Sequence, residues 1–366
     1  MKKLVSLLLV LAIAVTLVAC GGSKPAETQA PAAPTAPAAT EAPAATEAPA
    51  AAEAKTYNVG VAIYQYNDNF MTLYRQEIEN YFKTLETDTV KYNVTMVDGK
   101  NDMGEQTNQI DTFITQKMDV IICNLVQTSS AEVIIDKVVA AGIPLVLINR
   151  EPLGDNGDES YPGIINNPTV CYVGADARQS GTYQGEIVRD LPNHGDINGD
   201  GVVSYVMVVG DPENPDAQYR TEYSIKALTD AGKEVECLYE YLDNWDQTTA
   251  QQDVANALAQ YGDKIEVVFC NNDDMAIGAL QAIQAAGRTV NKDIYLVGVD
   301  ALDAALNEVS NGNMTGTVLN DAEGQASQAV VCMEELLGGK TYAEGEQSVY
   351  VDYVKVTPEN VSEFKK

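Results

Sequence analysis

Asparagine and aspartate crowd the ends of short apolar runs throughout this chain of 366 residues. Asn67, Asp68, Asn69 and Phe70 follow Ile63-Tyr64; Asn124 follows Ile122-Cys123; Asn149 and Arg150 follow Leu147-Ile148. Asp211, Asn214, Asp216 and Arg220 follow Val208-Val209; Asn271, Asn272 and Asp273 follow Phe269-Cys270; Asp300 follows Val299; Asn320 and Asp321 follow Leu319. Any one of these could simply cap a helix. The whole set is dominated by Asn and Asp, with Ser and Thr nearly absent, and capping alone explains that poorly. Planar amides and carboxylates grip neighbouring hydroxyls in two-pronged fashion, so the set points to a polyhydroxylated ligand in a pocket with a few convergent polar groups. Asp216 and Arg220, at i,i+4 spacing, read by themselves as a surface ion pair of small worth. The only tryptophan, Trp245, sits in the polar stretch Leu242-Asp243-Asn244-Trp245-Asp246, an unusual place for a core residue.

Histidine chemistry is nearly excluded. His194 is the single histidine, which removes Ser-His and Cys-His nucleophile systems and most His-based metal centres. Catalysis would have to rest on carboxylates, with Asp68 and Asp300 the pair to propose for glycoside cleavage. Besides Cys20 there are Cys123, Cys171, Cys237, Cys270 and Cys332, widely spaced and without a CxxC, so they define neither a zinc site nor a disulfide framework. Cys123 and Cys270 fall inside apolar runs and read as buried free thiols.

A second constellation is a loop, Asp196-Ile197-Asn198-Gly199-Asp200-Gly201-Val202-Val203-Ser204. It offers oxygen ligands at positions 1, 3 and 5, glycine at 6, the Val202 carbonyl at 7 and Ser204 at 9, as in the first part of a calcium loop. Position 12 is Met207, which cannot coordinate, so the closing carboxylate must come from elsewhere. His194 beside it reads as a surface residue.

These residues need elements to position them. From Tyr57 onward, short apolar runs alternate with longer stretches of helical spacing, such as Leu73, Tyr74, Ile78, Tyr81, Phe82 and Leu85. Three of the helical stretches end alike, at Ala141-Gly142, Ala231-Gly232 and Ala286-Gly287, where glycine suits a left-handed C-terminal residue. Such alternation predicts βαβ units in an α/β fold, and the length suggests two doubly wound parallel-sheet lobes. No helix-turn-helix precedes the first strand, which disfavours a repressor.

The front end reads as an export signal. Lys2 and Lys3 precede the apolar run Leu4 to Val18, which stops at Leu17-Val18-Ala19-Cys20 followed by Gly21-Gly22. A small residue before Cys is the pattern at which bacterial signals are cut and the new N-terminal Cys20 is acylated. Residues 21–54 are almost all Ala, Pro, Thr and Glu and predict a disordered, semi-rigid tether. The expected address is extracytoplasmic, on the outer face of the cytoplasmic membrane, with lipid on Cys20 as the only membrane contact. The formal charge of −30 argues against nucleic acid and anionic lipid as partners.

At its strand-end motifs the chain resembles the bacterial galactose/glucose-binding proteins of ABC transport and chemotaxis, in a lipoprotein form. The likeness runs from about Tyr57 to Lys366 through Asn67-Asp68-Asn69-Phe70-Met71, Asn124-Leu125-Val126, Pro215-Asp216, Asn271-Asn272-Asp273, Gly298-Val299-Asp300-Ala301-Leu302 and Gly316-Thr317-Val318-Leu319-Asn320-Asp321. The resemblance implies a type I periplasmic binding protein, a monomer whose lobes close over one pyranose by a three-segment hinge, without chemical turnover. It implies residues 55–146 with 320–352 as the N-terminal lobe and 147–319 with 353–366 as the C-terminal lobe, after the signal (1–20) and the tether. The crossings are expected near Leu145–Leu147, Leu319–Asp321 and Val351–Val354. Phe70 and Trp245 would stack on opposite faces of the sugar, and Asp68, Asn124, Asp216, Arg220, Asn272, Asp300 and Asn320 would bind its hydroxyls. Asn214 stands where the family pattern has histidine. The resemblance also implies a structural calcium ion, with Glu266 completing the set of Asp196, Asn198, Asp200, Val202 and Ser204; Ser204 replaces a longer amide. The implied partners are a glucose- or galactose-type monosaccharide and the membrane subunits of an ABC importer. Two alternatives stay open: a sugar sensor working through a chemoreceptor or sensor kinase, and a nucleoside-binding lipoprotein.

Overall fold

The computed structural model describes residues 54–154 and 161–365; the export signal, Cys20 and residues 21–53 of the tether lie outside the described residues. Among the described residues no helix is long and apolar enough to cross a membrane. The strands are β1 (Lys55–Ile63), β2 (Val90–Asp98), β3 (Val120–Cys123), β4 (Leu145–Ile148), β5 (Val170–Gly174), β6 (Val202–Val209), β7 (Glu234–Leu242), β8 (Val267–Cys270), β9 (Tyr295–Val297), β10 (Thr317–Leu319), β11 (Ser348–Tyr350) and β12 (Val354–Val356). The helices are α1 (Asn69–Leu85), α2 (Met103–Thr115), α3 (Ala131–Ala140), α4 (Pro162–Ile165), α5 (Ala177–Arg189), α6 (Pro215–Thr229), α7 (Gln247–Tyr261), α8 (Asp273–Ala285), α9 (Asp303–Ser310) and α10 (Ala322–Leu337).

Two sheets carry the molecule. One runs β11-β5-β4-β3-β1-β2 and is parallel throughout; the other runs β7-β6-β8-β9, also parallel, with β10 and β12 paired antiparallel at its flank. The short strands β3 and β4 are wholly buried and wholly apolar, as strands covered on both faces must be. Their side chains alternate between layers. Val120 and Ile122 join the core under α1 and α10, whereas Ile121 and Cys123 face α2 and α3. In the second sheet Val206 and Val208 pack towards α7 and α8, and Met207 and Val209 towards α5 and α6. The α/β architecture with two doubly wound lobes is therefore as the alternation predicts.

The lobe boundary differs from expectation. In the first sheet β4 pairs in register with β3, and β5 pairs in register with β4, so the chain leaves the N-terminal lobe after Gly174 rather than at Leu145–Leu147. Residues 147–174 thus belong to the N-terminal lobe wherever they are described. The cause is β5: Val170–Gly174 is a fully buried strand that needs a neighbour on each edge, and β4 and β11 supply them. The chain returns between β10 and α10 and crosses a last time between β11 and β12. Cys123, Cys171, Cys270 and Cys332 are buried free thiols, and Cys237 is exposed.

Candidate functional site

In both sheets the first strand lies beside the third, so the order reverses between β1 and β3 and between β6 and β8. Ligand sites of open parallel sheets form beyond the carboxyl ends of strands at such a reversal. Here the two reversal points face one another. Between them lies a cavity lined from the N-terminal lobe by Tyr64, Asp68, Phe70, Met71, Asn149 and Arg150. The C-terminal lobe contributes Asn214, Asp216, Arg220, Trp245, Asn272 and Asp300, and Asn320 stands at the second crossing.

Many of these side chains cap a helix and face the cavity at once. Asp68 Oδ1 accepts from Met71 N at the start of α1 (2.7 Å), and its second oxygen receives the Tyr64 hydroxyl. Asn214 Oδ1 accepts from Asp216 N (3.0 Å), and Asn272 Oδ1 from Met275 N (3.0 Å), leaving both amide groups to donate elsewhere. A capping role is thus correct for these residues and compatible with lining a pocket, because a helix N-cap at a strand end points into the cleft.

Arg220 organises the C-terminal wall. It is 3 % exposed, donates through NH1 to Asn271 O (2.8 Å) and through NH2 to Asp216 Oδ2 (3.3 Å) and Tyr353 Oη (3.2 Å), and stands 3.8 Å from Asp300 Oδ1. Asn320 donates to Asp300 Oδ1 (3.2 Å) and is itself held by Gln325 (2.6 Å). Burial pushes the Asp216 carboxyl up, against the pull of Arg220. Burial likewise raises Asp300, to about 7, with Arg220 and Asn320 opposing. For Arg220 burial alone would favour the neutral form, but Tyr353, Asp216 and Asp300 reverse that and hold it charged. The surface ion pair that the i,i+4 spacing suggested is instead a buried one.

Trp245 needs special backbone. Asn244 and Trp245 both adopt left-handed φ (50° and 69°), a conformation that costs free energy outside glycine and tends to persist at functional positions. The ring then lies over the bare backbone of Gly210, where a Cβ would stand 2.2 Å from Trp245 Cη2. Arg220 stands over the same ring at 5.9 Å from its centroid.

Nine of the ten expected hydroxyl-binding and stacking residues therefore line one cavity: Asp68, Phe70, Asn214, Asp216, Arg220, Trp245, Asn272, Asp300 and Asn320. Asn124 does not. It is fully buried, accepts from Tyr64 N through Oδ1 (3.3 Å), and donates to Ile148 O (3.2 Å) and Asn149 Oδ1 (3.1 Å), so its amide positions Asn149. Tyr64, Met71, Asn149 and Arg150 line the cavity without having been singled out for it. The signal for Asn149 and Arg150 was their place at a strand end; Tyr64 read as the end of an apolar run, and Met71 only as part of the motif Asn67-Asp68-Asn69-Phe70-Met71.

The loop at 196–204 and Glu266 also come together. Glu266, 1 % exposed, accepts from Ile197 N (2.7 Å), Asn198 N (2.9 Å) and Ser204 N (2.9 Å). Asp196 accepts from Gly199 N (2.6 Å) and Gly201 N (3.0 Å), Asn198 from Asp200 N (2.8 Å) and Asp200 from Val202 N (2.9 Å). Ser204 Oγ lies 3.5 Å from Glu236 Oε2, and His194 is exposed. The donor set is all oxygen, as a hard cation requires. Its carboxylates are nonetheless turned onto backbone amides, and among the described residues no three His, Cys, Asp or Glu side chains converge as a metal cluster.

Two α/β lobes, three crossings and a polar cavity between facing switch points define a solute-binding protein of the two-lobed class. Comparison with known proteins agrees: the periplasmic binding protein domain matches residues 59–341, and the chain belongs to that family. It is 35 % identical over 318 residues to the D-galactose/methyl-galactoside binding periplasmic protein of Haemophilus influenzae, covering 84 % of this chain and 92 % of that one. It is 32 % identical over 309 residues to a putative rhizopine-binding protein of Rhizobium meliloti, again covering 84 % and 92 %. Among solved structures, an ABC transporter solute-binding protein of Bacillus halodurans with bound myo-inositol superposes with a TM-score of 0.72 at 27 % identity, covering 86 % of this chain and 99 % of that one. These relatives are binding proteins by name, and the chain is a binding protein of that family rather than an enzyme.

Proposed function

We propose that the protein captures a monosaccharide of the galactose/glucose type between its lobes and delivers it to an ABC importer. One observation carries the reading: the same interlobe cavity is lined by carboxylates, amides and guanidinium groups and also by Phe70 and Trp245. Planar hydrogen-bonding groups suit ring hydroxyls, and aromatic faces suit the C–H faces of a pyranose. The binding of galactosides and myo-inositol by relatives supports a ring-shaped polyol. Calorimetry of the full chain against D-galactose, D-glucose, myo-inositol and a nucleoside tests it. A one-to-one hexose titration is expected; heat from the nucleoside alone would overturn the reading.

The same reading includes lipid on Cys20, supported by Ala19-Cys20-Gly21-Gly22 after an apolar run, and a structural calcium ion. Asp196, Asn198, Asp200, Val202, Ser204 and Glu266 would hold the ion and tie the turn before β6 to β8. Radiolabelled palmitate should enter the wild type in the bacterium and not Cys20→Ala. Chelation should lower the melting temperature; an unchanged melt in excess chelator would remove calcium from the account. The asparagine at 214 should leave the hydroxyl that a histidine would meet to a shorter donor or to water.

A further inference from the structure

The lobes touch directly at places other than their three crossings. Arg150, just past β4 in the N-terminal lobe, donates through NH1 to Asp211 Oδ2 (3.1 Å), just past β6 in the C-terminal lobe. Asn69 Nδ2 at the start of α1 donates to Asp274 Oδ1 on α8 (2.8 Å). These contacts differ in setting. The Asn69 contact is exposed, whereas Arg150 is 2 % exposed and the Asp211 side chain 16 %. Exposed polar pairs contribute little, while truncating one partner of a desolvated charge pair shows mainly in the dissociation rate.

We propose that Arg150 and Asp211 form a latch that holds the lobes shut and sets how long the ligand stays bound, with Asp211 a positioning residue outside the cavity wall. The N-terminal half of the latch is fixed before closure. The guanidinium stacks on the Tyr64 ring (3.9 Å to the centroid), its NH1 also donates to Val126 O, and the Tyr64 hydroxyl donates to Asp68, which lines the cavity. The C-terminal half is fixed too, since Asp211 Oδ1 accepts from Glu213 N (3.0 Å). Opening the cleft takes the carboxylate from a guanidinium that is otherwise buried. The same side chain reaches, through Tyr64, the aspartate that faces the ligand, so contact at Asp68 and closure at Asp211 share one rigid unit.

The test is Asp211→Asn in the full chain. Asparagine keeps the oxygen that accepts from Glu213 and turns an amide N–H towards the guanidinium, removing both the charge and the acceptor that Arg150 uses. Dissociation of D-galactose, followed by Trp245 fluorescence in stopped flow, should accelerate about tenfold with association nearly unchanged, and Asn69→Ala should alter it less than about twofold. A dissociation rate for Asp211→Asn within about twofold of wild type overturns the latch. The ligand arm rests on the monosaccharide reading, and a wild type that ignores D-galactose would count against that reading alone. A second arm needs no ligand: dyes on Cys237 and on Lys83→Cys report the distance between lobes. Asp211→Asn should reduce the closed fraction of the free protein, and equal closed fractions would overturn the latch whatever the ligand is.

Discussion

The two walls of the cleft are built on opposite plans. In the C-terminal wall Arg220 finds its partners within its own lobe and on the last crossing that returns to it: Asn271, Asp216, Tyr353 and Asp300. In the N-terminal wall Arg150 has a carbonyl and an aromatic face at home, but its carboxylate is across the cleft at Asp211. One wall finds its partners without reaching across the cleft, and the other finds its carboxylate only across it. The difference implies an order of events, with ligand docking on the preorganised C-terminal wall and the N-terminal wall following as the closed form is populated.

The largest test of that contrast is Arg220→Met. It leaves Asp216 and Asp300 buried without a cation, so both binding and folding should suffer. Breaking such a group costs about 4 kcal/mol, roughly a thousandfold in Kd if all of it falls on binding. Calorimetry and thermal melting together should show affinity lost and a lowered melting temperature. A variant that melts like wild type would mean the network is not preorganised.

Gly210→Ala comes next. The new methyl would stand 2.2 Å from the Trp245 ring, which must tilt out of place. Overpacking of this kind costs about 1.5 kcal/mol, roughly tenfold in affinity. The ring's fluorescence should shift even without ligand, and an unshifted spectrum with unchanged Kd would mean that Trp245 is free to move. On the facing wall Phe70→Leu keeps the packing against Tyr74 and removes the aromatic face. About 1 kcal/mol is expected, roughly fivefold in Kd, carried by faster dissociation. If Phe70→Leu hurts binding as much as Arg220→Met, the two walls are not different in kind.

How much of this was legible in sequence depends on whether a residue's role is local. The α/β alternation and the strand ends are local patterns, and they brought Asp68, Asn214, Asn272 and Asp300 to one cavity. Asn124 looked the same in sequence, yet β3 is the central strand beside the reversal, and its end is buried deeply enough to turn the amide onto the backbone. Arg150 and Asp211 each read as a polar strand end; their pairing depends on how two lobes meet, which no spacing along one chain encodes. The first crossing was misplaced because β4 is equally apolar whichever sheet it joins. Only the register with β3 and β5 decides.

Glu151 offers the narrowest test, because it is a buried carboxyl with neither plan's guanidinium bonded to it. It follows Arg150, is 7 % exposed, and receives the Tyr350 hydroxyl at the end of β11, next to the last crossing. Burial raises its pKa from 4.5 to about 7, with Tyr350 and Arg178 opposing and Asp216 and Asp176 reinforcing. The folded pKa lies above the unfolded one, so between them the folded state holds a proton that the unfolded chain has released. Stability contributed by the neutral form is therefore present below about 4.5, falls as pH rises towards about 7, and is lost above it. Glu151→Gln stays neutral and can still accept from Tyr350, so its unfolding free energy should lack this fall and exceed wild type at pH 8 by up to roughly 3 kcal/mol. Its Kd should stay within about twofold of wild type at pH 5, because the side chain does not line the cavity. Parallel stability curves for the two proteins from pH 4 to pH 8 would place the Glu151 carboxyl in water, and the last crossing would then carry no buried acid to set against the two walls.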